Sequence, residues 1–295
     1  MRRTGWTFAI LATAALLLSA TAWPAQSYPA AGLILKVDHP HHTLIVSCQS
    51  IPGYMDAMVM PFSVKEAKLM EALEPGMMID FTLVVTRDSS YIEGIRVRSM
   101  QSVDNESLQA QRLKILQGAL PSAAAQADPV TLGQAVPNFR LIDQSRKPVS
   151  LAQFGGKVVA INFVYTRCAL PNYCFRLANN FGRLQKRFSR QMGRDLVLLT
   201  VSFDPVHDQP EVLAKYSEIW KADPATWHFL TGSLAEVQRV CSLFGVDAWQ
   251  DEGLLTHSLH TAVIDRAGRL AANIEGNEFT PEQLGDLVES VMKRE

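Results

Sequence analysis

Residues 158–188 read VVAINFVYTRCALPNYCFRLANNFGRLQKRF, and this stretch decides the fold of the larger part of the chain. It opens with a continuous apolar run, VVAINFVY, which is typical of a central strand buried on both faces of a sheet. A helical stretch follows from Cys174, and a second apolar run, LVLLTVSF, comes after it at residues 196–203. Strand, helix and strand in this order predict an α/β layered fold.

The same alternation continues along the chain and defines a domain at residues 130–295. Further strands are predicted at RLID, HFL, TAVID and LAANIEG. Further helices are predicted at PEVLAKYSEIW, LAEVQRVCSLF and PEQLGDLVESVMKR.

Residues 31–99 follow a different pattern. Five short runs are rich in β-branched or aromatic residues, namely LILKV, TLIVSC, AMVMPFSV, MIDFTLVV and YIEGIRV. Turn signals and one short helical stretch, KEAKLMEAL, separate them. This spacing predicts a small all-β (OB-like) barrel, closed or partly open. Residues 100–129 lose the pattern and are predicted to be a linker.

The first 22 residues are predicted to be a targeting signal. Arg2 and Arg3 precede an apolar run from Trp6 to Leu18, and Ala20-Thr21-Ala22 resembles a cleavage site. The alternative is an uncleaved anchor in the inner membrane, although Pro24 leaves a run shorter than the roughly 20 apolar residues of a usual span. Either form predicts a protein that is exported to the periplasm or another extracytoplasmic compartment.

Composition excludes several classes of protein. The formal net charge is −1, from 28 Lys+Arg and 29 Asp+Glu, so nothing indicates a nucleic-acid partner. Only four cysteines occur, which excludes a disulfide scaffold. Cys168 follows the central strand where a helix is predicted to begin, and a helix N-terminus favours the reactive thiolate. Cys241 is predicted to be a buried core thiol.

Four stretches of the second domain together resemble the Sco family of thioredoxin-like copper proteins. They are the segment ending in INFVYTRC, then SFDPVHDQPEVLAKY, then WHFLTG with EVQRVCSLFGV, and finally THSLHTAVIDRAGRL. The resemblance implies a copper site formed by Cys168, Cys174 and His257. Soft thiolates select Cu(I), and an imidazole ligand suits Cu(II) as well.

The sequence departs from this family in two respects. Five residues separate the cysteines where most members have three, and helical residues six apart lie about 240° apart around the axis. We therefore expect a turn at Pro171-Asn172 and a loop that folds both thiols inward. His260 stands where related thioredoxins have a cis-proline, which favours metal binding over disulfide exchange.

Residues 31–99 resemble the periplasmic copper carrier CusF. The resemblance rests on CQSIPGYMDAMVMPFSV, EPGMMIDFTLVV and YIEGIRV. It implies a Cu(I) site at Met58 and Met60, which lie on one face of a strand, with Cys48 in the family's histidine position and Met55 in its aromatic position.

Simpler interpretations stay open for each of these residues. Met58 and Met60 are also suited to a barrel core. Cys168 and Cys174 are also suited to a permanent structural disulfide in an exported protein. The His39-Pro40-His41-His42 segment is interpreted as a solvated turn rather than a metal site. For His260 we expect a packing role or a role behind the metal ligands. His207 stays open as an outer-sphere or substitute ligand, and the sequence assigns no chemistry to Asp204.

The sequence therefore predicts an exported copper metallochaperone that delivers Cu(I) or Cu(II) to a cuproenzyme. The family resemblance implies the CuA site of a cytochrome c oxidase subunit as the client, with a copper donor and a thioredoxin-like reductant as further partners. Two alternatives remain. One is a thiol-disulfide reductase, which would be an enzyme. The sequence leans against an enzyme without excluding one. The other is a periplasmic protein that only buffers copper.

Overall fold

The computed structural model describes residues 25–98, 128–168, 170–246, 248–251 and 254–294 of the chain. The predicted signal segment, residues 1–22, lies outside the described residues. So do residues 100–127 of the predicted linker.

The first domain is an antiparallel sheet of five strands in the order β3-β2-β1-β4-β5. The strands are β1 (Gln26–Asp38), β2 (Thr43–Cys48), β3 (Met58–Ser63), β4 (Met78–Val85) and β5 (Ser90–Val97). Each predicted run overlaps one strand, but β1 begins before the predicted boundary at residue 31. Its early residues pair with β4 through the backbone, which needs no apolar side chains, and so no run marks them.

The sheet curls into a partly open barrel. Val64, just after β3, forms an isolated bridge with Ile92 of β5, and the Lys65 amide donates to the Ile92 carbonyl over 3.2 Å. No continuous ladder joins these two edge strands within residues 25–98. The predicted helix KEAKLMEAL is reduced to one 3-10 turn, Ala67–Met70, whose N-cap residue Glu66 makes no side-chain capping bond.

The second domain is built on a seven-stranded sheet in the order β14-β13-β8-β9-β10-β6-β7. Its strands are β6 (Arg140–Asp143), β7 (Pro148–Ser150), β8 (Val158–Val164), β9 (Leu196–Ser202), β10 (Trp227–Thr231), β13 (His260–Ile264) and β14 (Leu270–Glu275). A separate hairpin joins β11 (Ala248–Asp251) to β12 (Leu254–His257). The α-helices of the described residues are α1 (Arg176–Arg187), α2 (Pro210–Ile219), α3 (Leu234–Leu243) and α4 (Pro281–Met292).

The centre of this sheet is parallel and fully buried. β8, β9 and β10 run parallel, and every residue of all three strands is buried. The outer strands pair antiparallel. A parallel centre with antiparallel edges and covering helices is the thioredoxin-like arrangement, so the predicted α/β class is confirmed.

The two domains share one apolar core. Leu33 and Leu35 of β1 and Met78 of β4 belong to the buried cluster that includes α4 and the central sheet. Ile34, between the two leucines, points to the opposite face of β1 and packs in the first domain's own cluster. The first domain is therefore docked on the second through one face of its sheet.

Polar contacts follow the same seam. The Ser47 hydroxyl donates to the Asp286 carboxylate over 2.7 Å, and the Gln283 side-chain amide donates to the Ser47 carbonyl over 3.0 Å. The Gln283 side-chain oxygen also accepts from the Thr280 amide, which completes the N-terminal capping box of α4. One side chain thus caps α4 and holds β2.

We predict that Leu33→Ala destabilises both domains, because it opens a cavity at their junction that costs about 2–5 kcal/mol. Hydrogen exchange followed by mass spectrometry should show faster exchange in α4 as well as in β1–β5. Ile34→Ala is the matched control, since its side chain is equally buried but faces the first domain's own core. Equal exchange of α4 in the two variants would contradict the shared core.

Candidate metal centres

Cys168 lies on the segment that leaves the carboxyl end of β8. Its amide donates to the Tyr165 carbonyl over 3.3 Å, and its thiol lies 3.8 Å from the Leu170 carbonyl. The thiol is partly exposed. The expected helix does not begin at Cys168, because Pro171 opens the first helical turn three residues later.

Cys174 lies in a turn that the sequence did not predict. The expected loop is instead a single π-helical turn, Pro171–Phe175, which runs directly into α1. Tyr173 interrupts it with φ −110° and ψ −110°, so the turn is kinked just before Cys174. The kink places the Cys174 side chain in the core, where only 1% of the residue is exposed. A π-turn widens the helix locally and commonly occurs at functional sites.

The two thiols lie in contact with each other. A hydrogen bond with the Cys168 side chain and burial together raise the pKa of Cys174 well above its usual range. The backbone amides of Tyr165 and of Cys174 itself act in the opposite direction. No disulfide joins the two cysteines in this structure. Two adjacent soft donors, one at the surface and one buried, fit the chemistry of a Cu(I) site.

His257 is the last residue of β12, where it pairs with Ala248 of β11. Strand β13 begins three residues later and runs antiparallel to β8, with Thr261 opposite Asn162. The start of β13 therefore lies at the same edge of the sheet as the segment that carries Cys168. The described structure covers only the backbone of His257, so its role as a ligand stays a prediction.

The loop after β9 packs against the Cys168 segment. Arg167 donates to Asp204 over 2.8 Å, and the His207 ring also bonds to Asp204 over 2.8 Å. Burial opposes ionisation of Asp204, but the bonds from His207 and Arg167 outweigh it and lower the pKa. The motif that contains Asp204 also contains Asp208, and no pattern in the sequence singles out the contacts of Asp208.

His260 is the first residue of β13, and its role stays a prediction. Its Nδ1 atom lies 3.3 Å from the Asn273 side-chain oxygen on the neighbouring strand β14. No peptide bond among the described residues is cis, and that includes the bond before His260. Cys241 is buried in α3, and burial raises the pKa of its thiol to about 12, in keeping with a core residue.

In the first domain, the candidate ligands share one face of the sheet. Met58 lies directly opposite Cys48, and Met60 lies opposite Val46, in the antiparallel pairing of β3 with β2. Met58 is half exposed, whereas Cys48 is 1% exposed and burial raises the pKa of its thiol to about 11. Met55 and Met60 pack against the first domain's core. The face therefore runs from the exposed Met58 to the buried Cys48, and we call it the mouth of the barrel.

The histidine-rich turn between β1 and β2 is exposed, as predicted. His41 bonds through Nδ1 to Asp38 over 2.8 Å, and His42 adopts a positive φ of 48°. The described side chains contain no cluster of three His, Cys, Asp or Glu residues arranged to hold a metal ion.

Comparison with known proteins identifies families for both domains. A sequence model of the SCO1/SenC family matches residues 128–293, and a model described as the copper binding periplasmic protein CusF matches residues 27–97. Over 154 residues the chain is 27% identical to a SCO1 protein homolog of Bacillus subtilis, covering 51% of this chain and 78% of that protein. Over 160 residues it is 26% identical to Protein sco1 of Schizosaccharomyces pombe, covering 52% of this chain and 59% of that protein.

Solved structures of similar proteins include two from bacteria. A SCO1/SenC family lipoprotein from Bacillus anthracis aligns at a TM-score of 0.48 and 23% identity, covering 58% of this chain and 99% of that one. ScoI of Bradyrhizobium japonicum with copper bound aligns at a TM-score of 0.46 and 24% identity, covering 54% of this chain and 99% of that one.

We predict that iodoacetamide at neutral pH modifies Cys168 before any other cysteine, because its thiol is partly exposed while the other three are buried. Thiolate is the reacting form, so labelling of Cys48 and Cys241 should rise with pH towards their pKa values of about 11 and about 12. Peptide mass spectrometry measures each rate, and urea-unfolded protein is the control. Equal rates for Cys168 and Cys241 in folded protein would contradict the structure.

Proposed function

This chain belongs to the SCO1/SenC family, and on that premise we propose that it is an exported copper metallochaperone. The observation that carries the proposal is the contact between the Cys168 and Cys174 thiols at the carboxyl edge of a thioredoxin-like sheet. Copper is the metal bound by both families that the chain matches. A chaperone needs a site that holds copper firmly and also opens to a partner, and one thiol of this pair reaches the surface.

The chemistry of the donors supports Cys168, Cys174 and His257 as the ligands of the second domain. Thiolates prefer Cu(I), and an imidazole extends the site to Cu(II). Because the pKa of Cys174 is raised, copper must displace a proton from this thiol, and binding should strengthen as pH rises. A pH-dependent site of this kind releases copper more readily in acid.

A second copper site in the first domain is part of the proposal. Met58 and Met60 lie on one face of β3 with Cys48 opposite Met58, which supports a Cu(I) site at the mouth of the barrel. Met55 would complete a set of sulfur donors. The raised pKa of Cys48 implies that its proton, too, must leave when copper binds.

Family membership supports a client and a compartment. The name of the matching barrel family places CusF in the periplasm, and the basic and apolar N-terminal sequence supports export of this chain as well, with the segment either cleaved or kept as an anchor. Within the described residues, no helix has the length and apolarity needed to cross a membrane. We propose delivery to the CuA site of cytochrome c oxidase, with a copper donor upstream and a thioredoxin-like reductant that keeps the thiols reduced.

The first test addresses the thiol site. Cu(II) added to the full chain should produce intense thiolate-to-copper charge-transfer absorption, which Cys168→Ser or Cys174→Ser should abolish because each removes a thiolate ligand. His257→Ala should weaken Cu(II) binding more than Cu(I) binding. Cys241→Ser is the matched control and should keep the spectrum. An unchanged spectrum in Cys174→Ser would refute the ligand assignment.

The second test addresses the two sites together. Reduced protein should bind about two Cu(I) per chain, one at the soft-ligand set of each domain. A mild thiol-specific oxidant should join Cys168 to Cys174 and lower the count to about one, since Cys48 lies in a domain with no second cysteine and thioethers follow a different oxidation chemistry. The protein must be dilute, because Cys48 could otherwise join two chains. If the Met58→Leu/Met60→Leu variant still binds two Cu(I) per chain, the first-domain site is wrongly assigned.

A further inference from the structure

A buried carboxyl group lies beneath the Cys168 segment and is used by no ligand set. Asp208 is fully buried. Its Oδ1 atom accepts from the Thr166 hydroxyl over 2.5 Å. Its Oδ2 atom accepts from the Thr166 amide over 2.9 Å and from the Ser202 hydroxyl over 2.5 Å. All three donors belong to segments that leave the carboxyl ends of β8 and β9.

Tyr165, which directly precedes the Thr166 held by Asp208, contacts both thiols. The Tyr165 carbonyl accepts from the Cys168 amide, and the Tyr165 amide faces the Cys174 sulfur. Thr166 is the next residue, and Asp208 binds both its amide and its hydroxyl. A shift of Thr166 would therefore move the peptide group that contacts Cys168 and the amide that contacts Cys174.

The sheet itself does not fix this segment. The ladder between β8 and β9 ends at Val164 and Ser202, and the last bond beyond it runs from the Phe203 amide to the Val164 carbonyl. Without Asp208, the Thr166 amide would lose its partner in a partly buried place, which is costly for a backbone donor. Asp208 is held in turn by its own amide, which donates to the Asp204 carbonyl over 2.8 Å.

Ser202 ties the two loops together. Its hydroxyl donates to Asp208 and accepts from the Asp204 amide over 3.1 Å, so one group serves as donor and as acceptor. Asp204 in turn binds Arg167, the residue immediately before Cys168. Thr166 and Arg167, the two residues before Cys168, are thus both bonded to the loop after β9.

We infer that Asp208 is a positioning residue of the thiol pair: through Thr166 it fixes the segment that sets the relative placement of Cys168 and Cys174. The part of the test that measures copper binding rests on the proposed function, whereas the part that measures thiol alkylation does not. A carboxylate is required because three donors converge on its two oxygens, and an amide offers only one acceptor oxygen.

The test compares Asp208→Asn with Asp143→Asn in the full chain. Asp143 is a matched control, because it is also buried and accepts from the Ser145 and Lys147 amides and from the His228 ring. It is the last residue of β6, which β9 and β10 separate from β8 and the thiols. In Asp208→Asn we expect the alkylation rate of Cys174 relative to Cys241 to rise about tenfold, because loss of buried charge-assisted bonds eases local opening. The Cu(II) charge-transfer band should also shift or weaken. Asp143→Asn should lower the unfolding midpoint while leaving both readouts as in the wild type.

Each outcome decides the question. Equal changes in the two variants would show general destabilisation and overturn the inference, as would an unchanged Cys174 rate in Asp208→Asn. If Asp208→Asn does not fold, Thr166→Val decides, since it removes only the hydroxyl contact and should change both readouts in the same direction by a smaller factor. If the wild type binds no copper, the proposed function fails, and the alkylation rates still decide the role of Asp208.

Discussion

Seven residue pairs, from Val158–Leu196 to Val164–Ser202, hold β8 and β9 in parallel register with all their side chains buried. Parallel strands leave a sheet at the same edge, so the segments that follow them emerge side by side. Cys168 lies on the first segment and Asp208 on the second, which brings the carboxyl group within reach of Thr166. A slip of one residue would displace the two segments by about 3.3 Å and break these bonds. The thiol site therefore depends on a register fixed by apolar packing.

The first domain extends the same core rather than adding a separate one. The period of two along β1 sends Leu33 and Leu35 to the second domain and Ile34 to the first domain's interior. A single strand thus contributes to two cores. Ser47 of β2 binds α4. Because neighbouring residues of a strand point to opposite faces, Cys48 lies on the other face of the sheet. The candidate sulfur ligands therefore lie on the side opposite to the one that is fixed to the second domain.

Continuous apolar runs were enough to predict the central strands, because burial on both faces leaves a clear signal in composition. The hairpin of β11 and β12 was missed, since its short strands carry mixed polar residues and no such run. The segment around Cys174 is predicted to be a loop, because proline and asparagine favour turns locally. In the structure, tertiary packing selects the wider π-helical turn. The contact between Ser47 and Asp286 joins residues 239 positions apart and has no local sequence signal. Asp208 was visible only as part of a motif, because its burial depends on how two loops meet.

A chain cut at residue 128 would keep every strand and helix of the second domain yet lose the cover of α4. The apolar area now beneath Leu33, Leu35 and Met78 would face water at a cost of about 25 cal/mol per Å². A contiguous exposed patch of this kind promotes self-association. Besides any metal that it binds, the barrel therefore serves as an intramolecular solubilising cap for the second domain.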